Sequence, residues 1–120
     1  MLFAGQASES VFTAEQAAAG RAAYAKHCAS CHMPDLSGNT EIPPLAGAAF
    51  IGTWGSRSTK DLFDYSSEAM PYGAPSLSPE SYTAITAYIL QANGGVAGSS
   101  ALTGSTAVTI RSVTAGQKTP

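Results

Sequence analysis

The sequence CASCH over residues 28–32 is the feature that most constrains this chain. A C-x-x-C pair followed directly by histidine is typical of covalent attachment of a c-type haem. On a helix the thiols of Cys28 and Cys31 lie about one turn apart, so both can reach the vinyl groups of one porphyrin. The imidazole of His32 then lies against the iron as the proximal ligand. The chain has 2 cysteines in all, and the motif uses both.

Two other kinds of site also use a C-x-x-C pair. A redox dithiol of the thioredoxin type lies in a strand–helix setting, and no strand pattern precedes Cys28. A structural zinc site needs four ligands in a tetrahedron, whereas the candidate ligands here, which include His27, are crowded into residues 27–32. The spacing therefore favours haem, while a dithiol or a zinc site stays open as an alternative.

The composition indicates one small domain with a bound cofactor. The chain has 120 residues, of which 44% are hydrophobic, but much of that fraction is alanine and 12 residues are glycine. An internal haem would supply the apolar core that so few large side chains cannot. The net charge of -2 argues against a nucleic-acid partner. Charged residues are 12% of the chain, which predicts a weakly charged docking face.

The sequence predicts no membrane span but does predict export. No apolar stretch is long enough to cross a bilayer. Haem attachment at C-x-x-C-H in bacteria implies an exported protein, and we expect a periplasmic one. Residues 1–7 nevertheless lack the basic and apolar regions of a complete signal peptide. Either the chain is a mature or excised domain, or residues 5–7 are the remnant of a cleavage site; both explanations stay open.

Changes in composition divide the chain into three parts. Residues 1–11 are predicted to form an N-terminal arm and residues 12–95 a folded domain. Residues 96–120 are rich in glycine, serine and threonine, which predicts a tail or linker, extended or laid along the domain surface. Within that tail, residues 106–113 contain only a weak strand pattern.

Three clear helices are predicted, each begun by a serine or threonine cap. The first runs from about residue 14 to residue 27, the second is short and begins near residue 59, and the third runs from residue 79 to Asn93. Residues 48–55 can add a short turn of helix. Gly20 and Tyr24 share one face of the first helix, which predicts close approach of another helix. The caps are Thr13, with Gln16 completing a capping box, then Ser58 or Thr59, then Ser78.

Together these features resemble the class I mono-haem cytochrome c domains over about residues 12–95. The resemblance implies an all-α class I cytochrome c fold of three to five helices around one covalently attached haem, with an irregular C-terminal tail. Finer features are similar to the bacterial periplasmic subgroup, which includes domains that serve quinoprotein dehydrogenases and oxidases. The resemblance rests on four elements in the family's order: Gly20 and Tyr24 ahead of the motif, Pro43–Gly47, Met70-Pro71, and Ile85 with Tyr88 on the last helix.

The resemblance implies that Met70 is the distal ligand of the iron. Of the other methionines, Met1 is terminal, and Met33 directly follows His32 and cannot cross to the other haem face. The alternative for Met70 is a core methionine that fills a gap. A ligand pair of His and Met raises the reduction potential.

Three further residues are candidates for contact with the haem or its ligands. The resemblance assigns to the Pro43 carbonyl, with Pro44 as the near alternative, the hydrogen bond from the His32 imidazole. The indole N–H of Trp54 can donate to a haem propionate, and Arg57 can pair with the same group. Plain core packing is the alternative for Trp54, and a solvated surface charge is the alternative for Arg57.

These residues predict an electron carrier that is not itself an enzyme. With both axial positions occupied, the haem cycles between Fe(II) and Fe(III) and has no open site. The expected partners are a redox donor and acceptor, among them a quinoprotein dehydrogenase or a terminal oxidase. The alternatives are a haem enzyme or gas sensor with a labile methionine, the electron-accepting domain of a larger dehydrogenase, and a thiol oxidoreductase without haem.

Overall fold

The computed structural model describes residues 10–71 and 75–114, and within them the fold is helical. The predicted all-α fold is confirmed. The described residues contain six helices, one more than the largest number expected. They are α1 (Ala14–His27), α2 (Ala29–His32), α3 (Ala48–Trp54), α4 (Thr59–Ala69), α5 (Pro79–Ala92) and α6 (Ile110–Thr114). The predicted arm, apart from residues 10 and 11, and residues 115–120 of the predicted tail lie outside the described residues.

Helix α1 begins as predicted, but its capping box is only half formed. The Thr13 side chain accepts a hydrogen bond from the Gln16 backbone N–H at 3.1 Å. The Gln16 side chain does not return the bond to Thr13. Its amide donates to the Leu102 carbonyl and accepts from the Leu102 N–H, both at 2.8 Å. The predicted capping box was therefore wrong for the bond from the Gln16 side chain back to Thr13. The Gln16 amide pairs with the peptide groups of the distant Leu102 instead.

The predicted contact between α1 and the last predicted helix, which is α5 in the structure, is confirmed. A Cβ atom at Gly20 would overlap the backbone carbonyl of Ala84 and lie 2.9 Å from the Cβ of Tyr88. The rings of Tyr24 and Tyr88 pack with their centroids 5.4 Å apart. Glycine at position 20 thus lets the backbones of α1 and α5 approach closely.

Helix α5 is the centre of the domain. The predicted Ser78 cap and Pro79 start are confirmed, and Asn93 is the C-cap. Half of the 14 residues of α5 are buried, all of them within residues 82–90, so the middle of the helix is covered on nearly every face. The buried residues of α5 are Tyr82, Ala84, Ile85, Thr86, Ala87, Ile89 and Leu90.

The described part of the predicted tail, residues 96–114, packs against the helices. Leu102 is 3% exposed, and Ile110 and Val113 are fully buried. The buried Thr59 holds this segment: its hydroxyl donates to the Thr106 carbonyl at 2.7 Å, and its N–H donates to the Val108 carbonyl at 2.8 Å. The weak strand pattern is realised only as one antiparallel bridge between residues 58 and 109, after which the chain forms α6. The expectation of an irregular tail is therefore corrected at α6, where two apolar side chains three residues apart enter the core.

No helix in residues 10–71 and 75–114 has both the length and the apolar character needed to cross a membrane.

Candidate haem site

The predicted attachment motif lies on one short helical turn directly after α1. Cys28 ends α1, with its N–H donating to the Tyr24 carbonyl at 2.8 Å, and it also begins α2. The His32 N–H donates to the Cys28 carbonyl at 3.0 Å, which closes the turn. Cys28 is half-buried and Cys31 is exposed. Both cysteines thus belong to the same turn, as attachment to one porphyrin requires.

The His32 imidazole is buried and oriented by the proline loop. The residue is 8% exposed. Its Nδ1 lies 2.9 Å from the Pro43 carbonyl oxygen. A carbonyl can only accept, so Nδ1 carries the proton and Nε2 keeps its lone pair for a metal. The contact expected between His32 and Pro43 is present, and Pro43 rather than Pro44 provides the carbonyl.

Residues 33–47, here called the proximal loop, are fastened to the motif near their start. Met33 has a left-handed backbone with φ of 76°. The Tyr24 hydroxyl donates to the Met33 carbonyl at 2.6 Å, and the Gly38 N–H donates to the His32 carbonyl at 2.9 Å. Burial, and to a lesser degree the nearby Cys28, raises the pKa of Tyr24 well above its usual value. Tyr24 therefore keeps its proton and donates this hydrogen bond at neutral pH.

The far end of the proximal loop is fastened by Asn93, which is 1% exposed. Its side-chain amide donates to the Leu45 carbonyl at 2.9 Å and to the Ile89 carbonyl at 2.8 Å. Its side-chain oxygen accepts from the Gly47 N–H at 2.9 Å. The end of α5 thereby fixes the residues that directly follow Pro43 and Pro44.

Met70 belongs to a second group of contacts. It is the C-cap of α4, half-buried, and its N–H donates to the Ser66 carbonyl at 2.9 Å. The Met70 carbonyl accepts from the Tyr82 hydroxyl at 2.5 Å. The structure thus ties Met70 to α4 and α5, whereas it ties His32 to the proximal loop.

Trp54 and Arg57 form a third group. The Arg57 guanidinium carbon lies 4.5 Å from the centre of the Trp54 ring, and its Nε lies 3.9 Å from an Asp61 carboxylate oxygen. The Trp54 ring also packs on Phe50 and Tyr65, with centroids 6.5 and 5.7 Å away. Arg57 is exposed, so its contact with Trp54 contributes about 0.5–1 kcal/mol, as is usual for surface pairs of this kind. A bond from either residue to a propionate remains a prediction.

The donor set of the motif fits a covalently attached haem. It offers two thiols on one turn for the porphyrin. It also offers a buried imidazole whose Nε2 is unprotonated, because the proton is on Nδ1, which donates to the Pro43 carbonyl. Met70 adds a thioether on another element. These are the donor types found in c-type cytochromes.

Comparison with known proteins decides the family. The family model described as cytochrome c oxidase, cbb3-type, subunit III, matches residues 15–89. The chain belongs to the class I mono-haem c-type cytochromes. This cytochrome is also similar in structure to a chain of the sulfane dehydrogenase SoxCD from Paracoccus pantotrophus, with 33% identity and a TM-score of 0.58. The alignment covers 76% of this cytochrome and 48% of that chain, so it spans about half of that chain's length. No curated protein sequence matches it.

The family gives the cytochrome its cofactor and its class of activity. Members carry a covalently attached haem c and take part in electron transfer, and the C-x-x-C-H spacing at Cys28–His32 agrees with this. The prediction of one haem c is therefore confirmed.

The two alternatives for the cysteine pair lose support in the structure of the cytochrome. Burial, followed by the charge of Cys31, raises the pKa of Cys28 to about 11. A reactive dithiol needs a lowered thiol pKa, so this environment is unsuited to thiol exchange. Within residues 10–71 and 75–114, no cluster of three or more His, Cys, Asp or Glu side chains is arranged to hold a metal ion.

Sequence reasoning missed two polar residues that support the site. Asn93 was expected only as the end of a helix, and Tyr82 lies within the third predicted helix, where it was given no role. Asparagine before two glycines is an ordinary helix-end signal, and it says nothing about a loop on another part of the chain. A tyrosine in a core stripe does carry a signal, because a buried hydroxyl needs a partner.

Proposed function

We propose that this cytochrome is a periplasmic one-electron carrier in which His32 and Met70 bind the iron of a haem held by Cys28 and Cys31. The haem supplies a one-electron Fe(II)/Fe(III) couple. The observation that carries the proposal is the buried His32 imidazole with its Nδ1 2.9 Å from the Pro43 carbonyl.

The proximal side provides a ligand of fixed orientation. The hydrogen bond from His32 to Pro43 sets the tautomer, holds the ring plane and makes Nε2 a stronger donor. Because Tyr24 and Asn93 hold the two ends of the proximal loop, the Pro43 carbonyl has little freedom to move away. A ligand held in this way supports a redox couple that changes little in structure when the electron arrives or leaves.

The distal side favours a carrier over an enzyme. The Met70 thioether is a neutral ligand that, paired with His32, raises the reduction potential. When it is bound, the iron has no position left for a substrate or a gas. His32 itself is not available as an acid or a base, since its Nδ1 is committed to the Pro43 carbonyl.

The surface around the motif suits brief docking to a larger redox protein. Cys31, Met33 and Pro34 are exposed, and Asp35 is the one charged residue in the stretch 28–36. Redox encounters are typically small and transient, and steering between weakly charged faces is modest. We infer that a quinoprotein dehydrogenase or a terminal oxidase docks here as donor or acceptor.

A second candidate is that the cytochrome is the electron-accepting domain of a larger dehydrogenase. The similarity to a sulfane dehydrogenase chain, of which it spans 48%, favours this candidate. The chemistry of the haem site is the same in both cases. The two differ in whether the partner is a separate protein or a covalently linked domain.

The test is the optical spectrum of the holoprotein and of two methionine variants. The parent protein is expected to be low-spin, to show the long-wavelength sulfur-to-iron charge-transfer band, and to resist carbon monoxide when reduced. Met70→Ala should lose the band and bind carbon monoxide. Met33→Ala is the matched control and should behave like the parent, because Met33 directly follows His32.

Each alternative gives a different result in this test. A parent protein that binds carbon monoxide readily would support the haem enzyme or gas sensor. An unchanged band in Met70→Ala would move the distal role to another residue. A purified periplasmic protein without a Soret band would support the thiol oxidoreductase.

A further inference from the structure

The hydroxyl of Tyr82 contacts the backbone on both sides of the connection from α4 to α5. It donates to the Met70 carbonyl at 2.5 Å and accepts from the Leu77 N–H at 3.3 Å. The residue is 4% exposed. One buried phenol thus uses its donor and one acceptor position on two residues seven positions apart in the chain.

Through Tyr82, the Met70 backbone is bonded to α5, the helix with the most buried residues. Tyr82 lies in the first turn of α5, close to the Ser78 cap. Further along the same helix, α5 packs backbone to backbone against Gly20 of α1. Helix α4 gives Met70 only the terminal bond to Ser66, at the end where helices fray. The bond from Tyr82 is therefore the hydrogen bond that ties Met70 to α5.

We propose that Tyr82 is a positioning residue for the distal ligand: its hydroxyl holds the Met70 backbone and so limits how far the thioether can withdraw from the iron. The inference rests on the proposed ligation by Met70. Removing the hydroxyl leaves the Met70 carbonyl and the Leu77 N–H without this partner. The arrangement in which the Met70 thioether is withdrawn from the iron then becomes more populated. An added ligand such as imidazole therefore takes the distal position more often.

The test compares Tyr82→Phe with Tyr88→Phe, both as holoproteins. Both changes remove one hydroxyl from α5 and keep the ring. Tyr88 contacts Tyr24 through its ring, so its variant controls for a general loosening of α5. The first measurement is the rate at which imidazole displaces the distal ligand of the oxidised protein. The second is the hydrogen-exchange rate of the Leu77 amide in the reduced protein.

Tyr82→Phe should speed both imidazole entry and Leu77 exchange by about fivefold, which corresponds to the roughly 1 kcal/mol that one hydrogen bond usually contributes. The long-wavelength band should weaken but remain. Tyr88→Phe should leave both rates close to those of the parent. Denaturant unfolding of each variant checks that the rates do not simply follow global stability.

Three results would overturn the inference. Parent-like rates in Tyr82→Phe would show that the hydroxyl does not restrain Met70. Equal acceleration in Tyr88→Phe would show that α5 loosening is the cause. Faster Leu77 exchange without faster imidazole entry would leave Tyr82 a merely structural role. If the band is absent from the parent or survives in Met70→Ala, the ligation itself fails, and that outcome is distinct from the other three.

Discussion

The proximal loop and the connection from α4 to α5 each carry one proposed iron ligand, and α5 anchors both. Asn93, at the end of α5, bonds to the proximal loop at two points, Leu45 and Gly47. Tyr82, near the start of α5, holds Met70 and Leu77 through a single hydroxyl. One helix therefore sets the position of both ligand-bearing segments, but with unequal strength.

The proximal loop is held by further hydrogen bonds that do not involve α5. Tyr24 bonds to Met33, and Gly38 bonds to the His32 carbonyl, so the loop is held at its start as well as at its end. Loss of any one bond leaves the others in place. His32 thus belongs to a redundant network, whereas the hydrogen bonds of Met70 within the described residues run to Ser66 and Tyr82. Ligand exchange in this cytochrome is therefore expected on the Met70 side.

The largest expected effect comes from separating α1, which leads into the motif, from α5. Gly20→Ala places a Cβ against the Ala84 carbonyl, and backbone cannot move aside cheaply. We expect a loss of about 3 kcal/mol in unfolding free energy, measured by denaturant titration of the holoprotein. Gly52→Ala is the matched control, because a Cβ at this exposed helical glycine meets nothing within 4 Å. It should stabilise α3 by roughly 0.5–1 kcal/mol. Equal effects of the two variants would refute the close crossing.

Asn93→Ala tests the anchor of the proximal loop. It removes the partners of the Leu45 carbonyl and the Gly47 N–H, so we expect a loss of about 2 kcal/mol in unfolding free energy. The Met70 charge-transfer band should persist, because Tyr82 still holds that side. Gln91→Ala, an exposed change on the same helix, is the control. A lost band in Asn93→Ala would show that the two sides are not separable.

Ser58→Ala weakens the start of the helix that ends at Met70. Ser58 and Asp61 form a reciprocal capping box, with both hydrogen bonds at 3.0 Å. The variant should lose about 1 kcal/mol of unfolding free energy, and imidazole entry should change little, because Tyr82 rather than the α4 start restrains Met70. Ser56→Ala, at an exposed position, should match the parent. Faster imidazole entry in Ser58→Ala would assign part of the restraint to α4.

The smallest expected effect is that of salt on electron transfer. Because the face around Cys31 and Met33 is nearly uncharged, the bimolecular rate with the natural partner should change little between low and moderate ionic strength. Stopped-flow measurement over a salt series provides the check. A steep fall in the rate would show that charge governs the encounter.

The sequence predicted those features that depend on local spacing. Residues close together in the chain, or the helical repeat, indicate the motif Cys28–His32, the cap at Ser78 and the glycine contact at Gly20. They also indicate a cap at Ser58 or Thr59, of which Ser58 is the one that forms. The family pattern added the contact from His32 to Pro43. These signals were enough to predict the all-α fold, and they support the proposal of His32 as the proximal ligand.

Features that depend on distant partners could not be predicted in the same way. Gln16 carries a capping-box signal, yet its side chain bonds to Leu102, 86 positions away. Nothing near residue 93 or residue 82 indicates which loop their polar groups will meet. Ile110 and Val113 were visible as apolar residues, but the polar composition around them concealed that they complete the core.

The pair formed by Gln16 and Leu102 has a consequence for the order in which the chain can fold. Synthesis delivers α1 first, then the motif, and only much later the residues that cover α1. Until Ala84 and Leu102 have emerged, α1 lacks the contacts that Gly20 and Gln16 make with them. Contacts of such long separation form late and slowly. The contacts that Gly20 and Gln16 make with residues 84 and 102 are therefore expected to be among the last parts of the domain to form.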